Sequence, residues 1–391
     1  MNEKKVALLI ETSAAYGRGL LEGIGRFHQQ KNSNWSLIIE PSGLIDRPPP
    51  WLKNWDGDGI LARINDRSMA NRLAKLNIPM IDLRGIAEKL NTPFVGVDNR
   101  TVSELAFQHL RNRGFRSFGV VTTPRSFHKH LNERCDIFLQ LVQQAGFQCK
   151  IFRGTRFGNP ALDWETQQEK IAAWLGKRSQ QFPIALLCVN DLIARETIEA
   201  CHRANLSVPE QVAVMGVDND TYLCTLSSPP MTSVAVDAPS IGYKAAELLE
   251  EMMNAPQKSE YVQETLLPCQ EVVVRASTDI FAIEDPEVTQ ALSYIRERAC
   301  LNIGVDEVVA TTSLCRTLLE RRFAKSLNRS IYKEILRVKL DRAKALLRTT
   351  DQALSQIAEV TGFQSSVYLS QVFRRELQTT PGRWRAENAV Q

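Results

Sequence analysis

The segment GFQSSVYLSQVFRR, residues 362–375, combines a glycine, a run of small polar residues and two adjacent arginines. A Gln side chain can form two hydrogen bonds with an adenine edge, Ser can contact several base edges, and Arg binds phosphate oxygens. These are chemistries with which a helix in the major groove contacts DNA. The candidate DNA-contacting residues of this segment are Gln364, Ser365, Ser366, Tyr368 and Arg374.

A second segment about fifty residues upstream, VVATTSLCRTLLERRF at 308–323, has a similar pattern. Both predict two helices joined by a tight turn, at Ser313 in the first copy and at Gly362 in the second. Glycine tolerates a left-handed turn, whereas Ser313 is expected to carry about 1 kcal/mol of strain there. Cys315 occupies the expected N-cap position and is a poor cap. The candidate DNA contacts of this copy are Arg316, Thr317 and Arg321.

Helix periodicity also predicts which residues of the second copy are buried. A turn at Gly362 places the start of the next helix within residues 364–366, with Val367 and Phe373 facing the core. Helix-turn-helix geometry occurs in ordinary helical bundles, so one copy is a weak signal. Two copies joined by the basic segment EILRVKLDRAKALLRTT, residues 334–350, favour DNA binding more strongly.

Positive charge is concentrated in the same part of the chain. From residue 285 onward there are 17 Lys and Arg against 12 Asp and Glu, whereas the preceding residues hold 31 against 32. A basic module on a near-neutral body suits binding to a phosphate backbone, although solvated basic helices are also common.

The upstream residues show a different pattern, in which short apolar runs such as KVALLI, WSLIIE, IALLCV and VAVMGVD alternate with amphipathic segments. This alternation predicts βαβ units and parallel sheets covered by helices. The strand pattern stops before Pro286. We therefore predict an α/β region at 1–275, a linker at 276–285 and an all-α domain at 286–391.

Several functional classes are disfavoured. The eight cysteines form no C-x-x-C, and the two histidines of FHKH, at 127–130, are more simply explained as a solvated loop than as a metal site. No cofactor motif, nucleophile–base pair or carboxylate dyad is apparent, so we expect no enzyme. The N-terminus has no signal peptide or membrane span, which predicts a cytoplasmic protein with no membrane partner.

The C-terminal region resembles the AraC family of transcription regulators, whose domain of about a hundred residues carries two helix-turn-helix motifs. The resemblance rests on LERRF (319–323), KLDRAKALL (339–347), IAEVTGF (357–363) and TTPGRWR (379–385). It implies that residues 362–375 are the second turn and recognition helix.

The first 275 residues resemble the sensor of LacI-type repressors and of periplasmic sugar-binding proteins, through VGVDN (95–99), CVNDLIA (188–194) and VPEQVAVMGVDND (208–220). This resemblance implies two lobes with a sugar between them. The combination of such a sensor with an AraC-type domain resembles one family of sugar-operon regulators over the whole length, and this wider resemblance implies D-xylose as the effector. The whole chain would then be a homodimeric, sugar-responsive regulator that binds an operator and, as an activator, contacts RNA polymerase. The alternatives are a response to another monosaccharide, or a receptor or enzyme on the same fold.

A sugar cleft needs convergent carboxylates, amides and Arg for the hydroxyls and an aromatic face for the apolar side of the ring. The resemblance assigns Arg134, Asn190 and Asp218 to sugar hydroxyls. The other candidate ligands are Glu11, Ser13, Tyr16 and Asp237. We expect Asp98 and Asp191 to cap helices instead.

Overall fold

The computed structural model describes residues 3–41, 43, 49–64, 67–85, 92–124, 129–154, 164–178, 181–255, 264–269, 271–283 and 285–388. The chain forms two compact units. Unit 1 comprises residues 1–111 and 116–280, and unit 2 comprises 281–391 together with the short segment 112–115.

Unit 1 contains two sheets, and helices and strands are numbered here along the chain. The first sheet is parallel in its described pairings and has the strand order β11-β5-β4-β3-β1-β2. Its strands are β1 (Lys4–Leu9), β2 (Trp35–Ile39), β3 (Gly59–Ala62), β4 (Met80–Asp82), β5 (Phe94–Val97) and β11 (Glu264–Leu267).

The helices of this first lobe are α1 (Ala15–Gln30), α2 (Arg67–Leu73) and α8 (Ala238–Asn254). Helices α1 and α8 approach each other closely because both carry glycine at the contact. A Cβ on Gly23 would lie 1.8 Å from the Pro239 carbonyl oxygen, and one on Gly242 would lie 2.0 Å from that of Leu20. This packing fixes α1, whose N-terminus faces the candidate site.

The second sheet has the order β12-β10-β9-β8-β6-β7 and is parallel except for the antiparallel pair β10–β12. Its strands are β6 (Ser117–Thr122), β7 (Gln148–Arg153), β8 (Ile184–Cys188), β9 (Val212–Asp218), β10 (Thr232–Ala235) and β12 (Glu271–Val273). The helices of this second lobe are α3 (Asn99–Asn112), α4 (Lys129–Gln144), α5 (Trp164–Gly176), α6 (Asp191–Arg203) and α7 (Thr221–Leu226).

The chain passes from the first sheet to the second after β5, returns after β10 and crosses again after β11. Strands β8 and β9 are buried along almost their whole length, as expected for central strands covered on both faces. The two-lobed parallel-sheet prediction is therefore confirmed.

Unit 2 is helical in its described residues after 285. Its helices are α9 (Pro286–Arg298), α10 (Val305–Ala310), α11 (Arg316–Leu327), α12 (Ile331–Thr349), α13 (Leu354–Val360), α14 (Ser366–Leu377) and α15 (Pro381–Asn388). Helix α12 contributes Ile331 and Ile335 to a core with α9–α11, and Leu340 and Leu347 to a second core with α13 and α14. It thus joins two small helical bundles, as predicted for the connecting helix.

The described residues of the predicted linker, 276–283 and 285, are largely packed. Ser277 and Thr278 are fully buried in unit 1, and the Ser277 hydroxyl donates to the Val214 carbonyl oxygen at 2.5 Å. Phe281 and Ile283 pack against the first helical core of unit 2. The linker was predicted here because the strand-like runs end before Pro286, but each half of the segment packs against its own unit.

None of the helices in the described part of the chain is both long and apolar enough to cross a membrane.

Candidate functional site

A cavity lies between the two lobes of unit 1, at the carboxyl ends of their strands. It is lined by five of the seven predicted sugar ligands: Glu11, Tyr16, Arg134, Asn190 and Asp218. Ligands of open α/β sheets bind at this edge, because the loops that follow the strands converge there. The fold therefore brings together residues that are more than two hundred positions apart in the chain.

The first-lobe wall is built around a buried ion pair. Glu11 follows β1 and Arg63 follows β3, and the Arg63 guanidinium lies 2.5 Å from a carboxylate oxygen of Glu11. The same guanidinium covers the Tyr16 ring at 4.8 Å from the ring centre. Burial raises the pKa of the Tyr16 phenol, so this hydroxyl is neutral and can both donate and accept near pH 7.

The second-lobe wall contains a buried arginine held in one orientation. The Arg134 Nε donates to Asn99 Oδ1 at 3.0 Å, and one terminal nitrogen donates to the Val189 carbonyl oxygen at 2.5 Å. A guanidinium fixed in this way has lost its rotamer freedom before any ligand arrives. Such preorganisation favours tight binding of a small polar ligand.

Asp218 ends β9, in the same lobe as Arg134, and lines the same cavity. Burial raises the pKa of its carboxyl to about 6, while the charges of Arg134 and Arg63 oppose that shift. Its φ of 109° lies in the left-handed region that non-glycine residues rarely adopt. The next residue is held by two bonds: Asn219 donates its N–H to Ser233 Oγ and accepts from Arg275. The strained backbone aims the Asp218 side chain at the cavity.

The sequence analysis expected Asp191 to cap α6, whereas the structure gives this role to the preceding residue, Asn190. Asn190, expected only as a ligand, is the N-cap of α6 and accepts from the Ile193 N–H at 2.9 Å, although it also lines the cavity. Asp191, expected as a cap, is buried and accepts from the Asp220 N–H and from the Ser233 hydroxyl. Burial, together with the charge of Asp218, raises the pKa of Asp191. The expectation for Asp98 holds, because its carboxylate accepts from the Arg100 N–H at the start of α3.

Two predicted ligands do not line the cavity. Ser13 is exposed, and Asp237 is an exposed N-cap whose oxygens accept from the Ser240 N–H and hydroxyl. Asp237 stands at the start of α8, where its short side chain is occupied by the helix.

The histidine pair of FHKH also differs from expectation. His128 lies outside the described residues. His130 is not a solvated loop residue, because one ring nitrogen lies 2.9 Å from the Val97 carbonyl oxygen and its ring packs edge-on against Phe94 at 4.9 Å. The described residues contain no cluster of three or more side chains suited to a metal.

Several residues that line the cavity were not predicted as ligands: Arg63, Arg84, Phe94, His130, Asp191 and Asp220. Arg63 and Arg84 could have been found, because each stands one or two positions after a short apolar strand, in GILAR and MIDLR. Burial and the nearby Arg63 lower the pKa of Arg84 to about 9. The cavity thus offers carboxylates, amides, guanidinium groups and aromatic faces, a set suited to a polyhydroxylated ligand.

The helical unit contains a second candidate site, formed by two matching helix-turn-helix motifs. Helices α11 and α14 each have twelve residues, begin fifty positions apart and end at a left-handed residue, Asn328 or Gln378. Leu319 and Phe323 of α11 are buried, as are Leu369 and Phe373 of α14. The repeat inferred from the sequence is therefore present as two equivalent helices.

The two turns are stabilised differently. Gly362 has a φ of +71°, as predicted, and its carbonyl oxygen accepts from Lys339 Nζ at 2.7 Å. Ser313 is not among the residues with positive φ, so the strain predicted there is absent. Glu287 holds that turn instead, accepting from the Ser313 N–H at 2.8 Å and from its hydroxyl at 2.5 Å. These bonds lower the pKa of Glu287.

The N-terminal ends of the two recognition helices also differ. Cys315 is the N-cap of α11 and makes no side-chain cap bond, as expected, whereas Ser365 caps α14 by accepting from the Tyr368 N–H at 3.1 Å. Ser365 is therefore engaged by its own helix. The prediction that Val367 is buried was wrong: it is 66% exposed, and Val372 packs in the core instead.

The other predicted DNA contacts lie near or at the surface. Arg316 pairs with Asp306 at 2.9 Å and with Glu320 at 3.1 Å, and the Tyr368 hydroxyl lies 3.1 Å from that of Tyr332. Ser366 is half-buried in the first turn of α14. The exposed candidates are Arg316, Thr317, Arg321, Gln364 and Arg374.

Models of known protein families match residues in both units. The chain matches a XylR N-terminal domain at residues 5–100, a periplasmic binding protein-like domain at 107–278 and a helix-turn-helix domain at 309–387. These matches and the two sites define a transcription regulator with a periplasmic-binding-protein-like sensor and a helix-turn-helix DNA-binding domain, and not an enzyme.

Full-length relatives narrow this class. The chain is 31% identical to the xylose operon regulatory protein of Escherichia coli K12, over 98% of this chain and 97% of the relative. It is 32% identical to that of Haemophilus influenzae, over 97% and 98%. A solved structure described as the xylose-binding transcription activator xylR matches all of both chains with a TM-score of 0.62 at 29% identity. The chain belongs to the family of xylose operon regulatory proteins.

Proposed function

We propose that this regulator binds D-xylose in the cleft of unit 1 and responds by changing how unit 2 engages operator DNA. The observation that carries the proposal is that Asp218 and Arg134 of the second lobe line the same cavity as Glu11 and Tyr16 of the first lobe. Arg134 is buried and held in orientation by its hydrogen bonds. A carboxylate and a guanidinium that line one small cavity can accept from and donate to hydroxyls of one sugar ring.

The sugar response requires a difference in affinity between two states of the protein. Xylose bound between the lobes favours their closed arrangement, and it shifts the equilibrium only by its preference for that state. We further propose that the protein acts in the cytoplasm as a homodimeric activator that contacts RNA polymerase. The effector named for the full-length relatives supports xylose over other monosaccharides.

Calorimetric titration with D-xylose tests this assignment. Asp218→Ala should abolish detectable heat, because it removes a carboxylate acceptor that lines the cavity. Asp237→Ala is the matched control, since it removes an aspartate that caps α8 outside the cavity. It should bind xylose as the wild type does.

Titration of the wild type with L-arabinose, D-ribose and D-glucose identifies the alternative effectors. A clearly tighter response to one of these would replace xylose as the effector while keeping the cleft as the site. Wild-type affinity for xylose in Asp218→Ala would remove Asp218 from the site.

A further inference from the structure

The N-terminus of α1 receives its cap from the opposite lobe. The residue before the helix is Ala14, which has no side-chain acceptor, and the first helical N–H, that of Ala15, donates to Asp220 Oδ2 at 3.3 Å. Ala15 belongs to the first lobe and Asp220 to the second. This hydrogen bond therefore joins the two lobes directly beside the cavity.

The Asp220 carboxylate is held firmly on its own lobe. Its Oδ1 accepts from the N–H groups of Tyr222 and Leu223 at the start of α7, at 3.1 and 3.4 Å. The Asp220 N–H donates to Asp191 Oδ2 at 2.7 Å, and Asp191 is buried. With one oxygen and the backbone occupied in the second lobe, Oδ2 is directed at the first.

The bond has the right charges to favour closure. The N-terminus of a sixteen-residue helix carries partial positive charge, and a nearby carboxylate stabilises it. Asp220 is only 8% exposed, so the interaction is less screened than one at the surface. When the lobes separate, the Ala15 N–H and the carboxylate oxygen must each return to water.

We propose that Asp220 is a positioning residue that holds the two lobes closed through α1 and so sets sugar affinity without supplying one of the sugar's own hydrogen bonds. The part of this inference that concerns sugar affinity rests on the proposed function, because it takes xylose as the ligand. Closure itself can be measured without any sugar.

Ala15→Pro removes the donor while leaving Asp220 intact. Proline is well accepted at the first position of a helix, where its missing N–H breaks no intrahelical bond. Ala14 has φ −101° and ψ 147°, an extended conformation that the residue before a proline prefers. The helix should therefore form normally while the bond between the lobes is lost.

Asp220→Ser removes the acceptor from the other side. Serine is a good N-cap and can still accept from the start of α7, but its shorter side chain does not reach Ala15. Asp285→Ser is the matched control, because Asp285 caps α9 through the same pattern, accepting from Glu287 and Val288, far from the cavity in sequence and in a different unit.

The test combines xylose titration with fluorescence energy transfer between dyes at the exposed positions 31 and 210, one on each lobe. Ala15→Pro and Asp220→Ser should each weaken xylose binding about tenfold and lower transfer in the absence of sugar, since a hydrogen bond to a charged group is lost. The double variant should be no weaker than either single one, because both changes break the same bond. Asp285→Ser should match the wild type in both measurements.

Two results would overturn the inference. If Ala15→Pro shows the same energy transfer and xylose affinity as the wild type, the bond does not hold the lobes together. If only Asp220→Ser binds xylose more weakly, Asp220 acts on the sugar itself. A wild-type protein that binds no xylose contradicts the proposed function instead. The energy-transfer comparison still decides the role of Asp220 in that case.

Discussion

Asp218 shows how a single residue depends on its surroundings. It stands at the end of β9 with a left-handed backbone, and desolvation raises the pKa of its carboxyl to about 6. Sugar hydroxyls that donate to this carboxylate would stabilise its ionised form and lower its pKa in the complex. The free protein would therefore bind a proton more readily than the complex does.

This difference predicts pH-dependent sugar binding. As the pH falls through 6, the free state gains a proton that must be released on binding, so xylose affinity should be about tenfold weaker at pH 5 than at pH 7.5. Calorimetry across that range measures it. Asp218→Asn should bind more weakly at pH 7.5 but show little change with pH. An unchanged wild-type affinity down to pH 5 would contradict the account.

Individual residues of the recognition helices should divide into base readers and phosphate contacts. Arg316→Ala and Gln364→Ala should each weaken operator binding about tenfold and hardly affect a scrambled duplex, because base contacts carry the sequence information. The exposed pairs of Arg316 with Asp306 and Glu320 are weak enough to exchange for a base.

Arg374→Ala is the comparison variant for these base readers. It should weaken binding to both duplexes and reduce the slope of log affinity against log salt by about one. Fluorescence anisotropy titrations at two salt concentrations separate the two classes. Equal losses on both duplexes for Arg316→Ala would reject it as a base reader.

At the scale of elements, Gly362 joins the two halves of the helical unit. Its φ is +71°, and a Cβ there would lie 2.6 Å from the Cys300 carbonyl oxygen of the first half. Gly362→Ala should lower the free energy of unfolding by about 1–3 kcal/mol and weaken operator binding. Gly382→Ala is the control, since a Cβ at Gly382 meets nothing within 4 Å. Denaturant unfolding of the two variants compares them, and equal stabilities would refute this role.

Elements were predicted from the sequence more reliably than the residues that complete them. Apolar runs predicted the central strands and the duplicated helices. A strand buried on both faces has a continuous apolar run, and a helix buried along one stripe has apolar residues at helical spacing. The sequence could not show that Glu287 of α9 holds the turn at Ser313, since that contact spans 26 positions. It also could not separate the roles of Asn190 and Asp191, because a shift of one residue at a helix start exchanges a cap for a buried acceptor.

Side chains from the opposite lobe were the hardest to predict. Asp220 follows the recognised Asp218 by two positions, yet its contact with Ala15 depends on how two lobes close. The position of Arg63 directly after a strand could be read from the sequence, but its ion pair with Glu11 follows from the pairing of β3 with β1. These contacts arise from strand order and lobe arrangement, which local periodicity does not encode.

At the scale of the whole molecule, sensing and DNA binding belong to different compact units. The residues that line the cavity lie before 281, and both helix-turn-helix motifs lie after it. Phe281 and Ile283 pack in the helical core, so a DNA-binding fragment should begin at 281 and not at the predicted boundary of 286. Xylose should therefore change DNA binding only when unit 1 is present.

The most direct test is the affinity for an operator duplex, selected from a random-sequence pool, measured with and without D-xylose for the full chain and for residues 281–391. Both should bind the duplex, with affinity falling as salt rises. Xylose should change the affinity of the full chain, leave the fragment unaffected, and have no effect on full-length Asp218→Ala. A fragment that responds to xylose, or a full chain that binds operator identically with and without it, would contradict the assignment of sensing to unit 1.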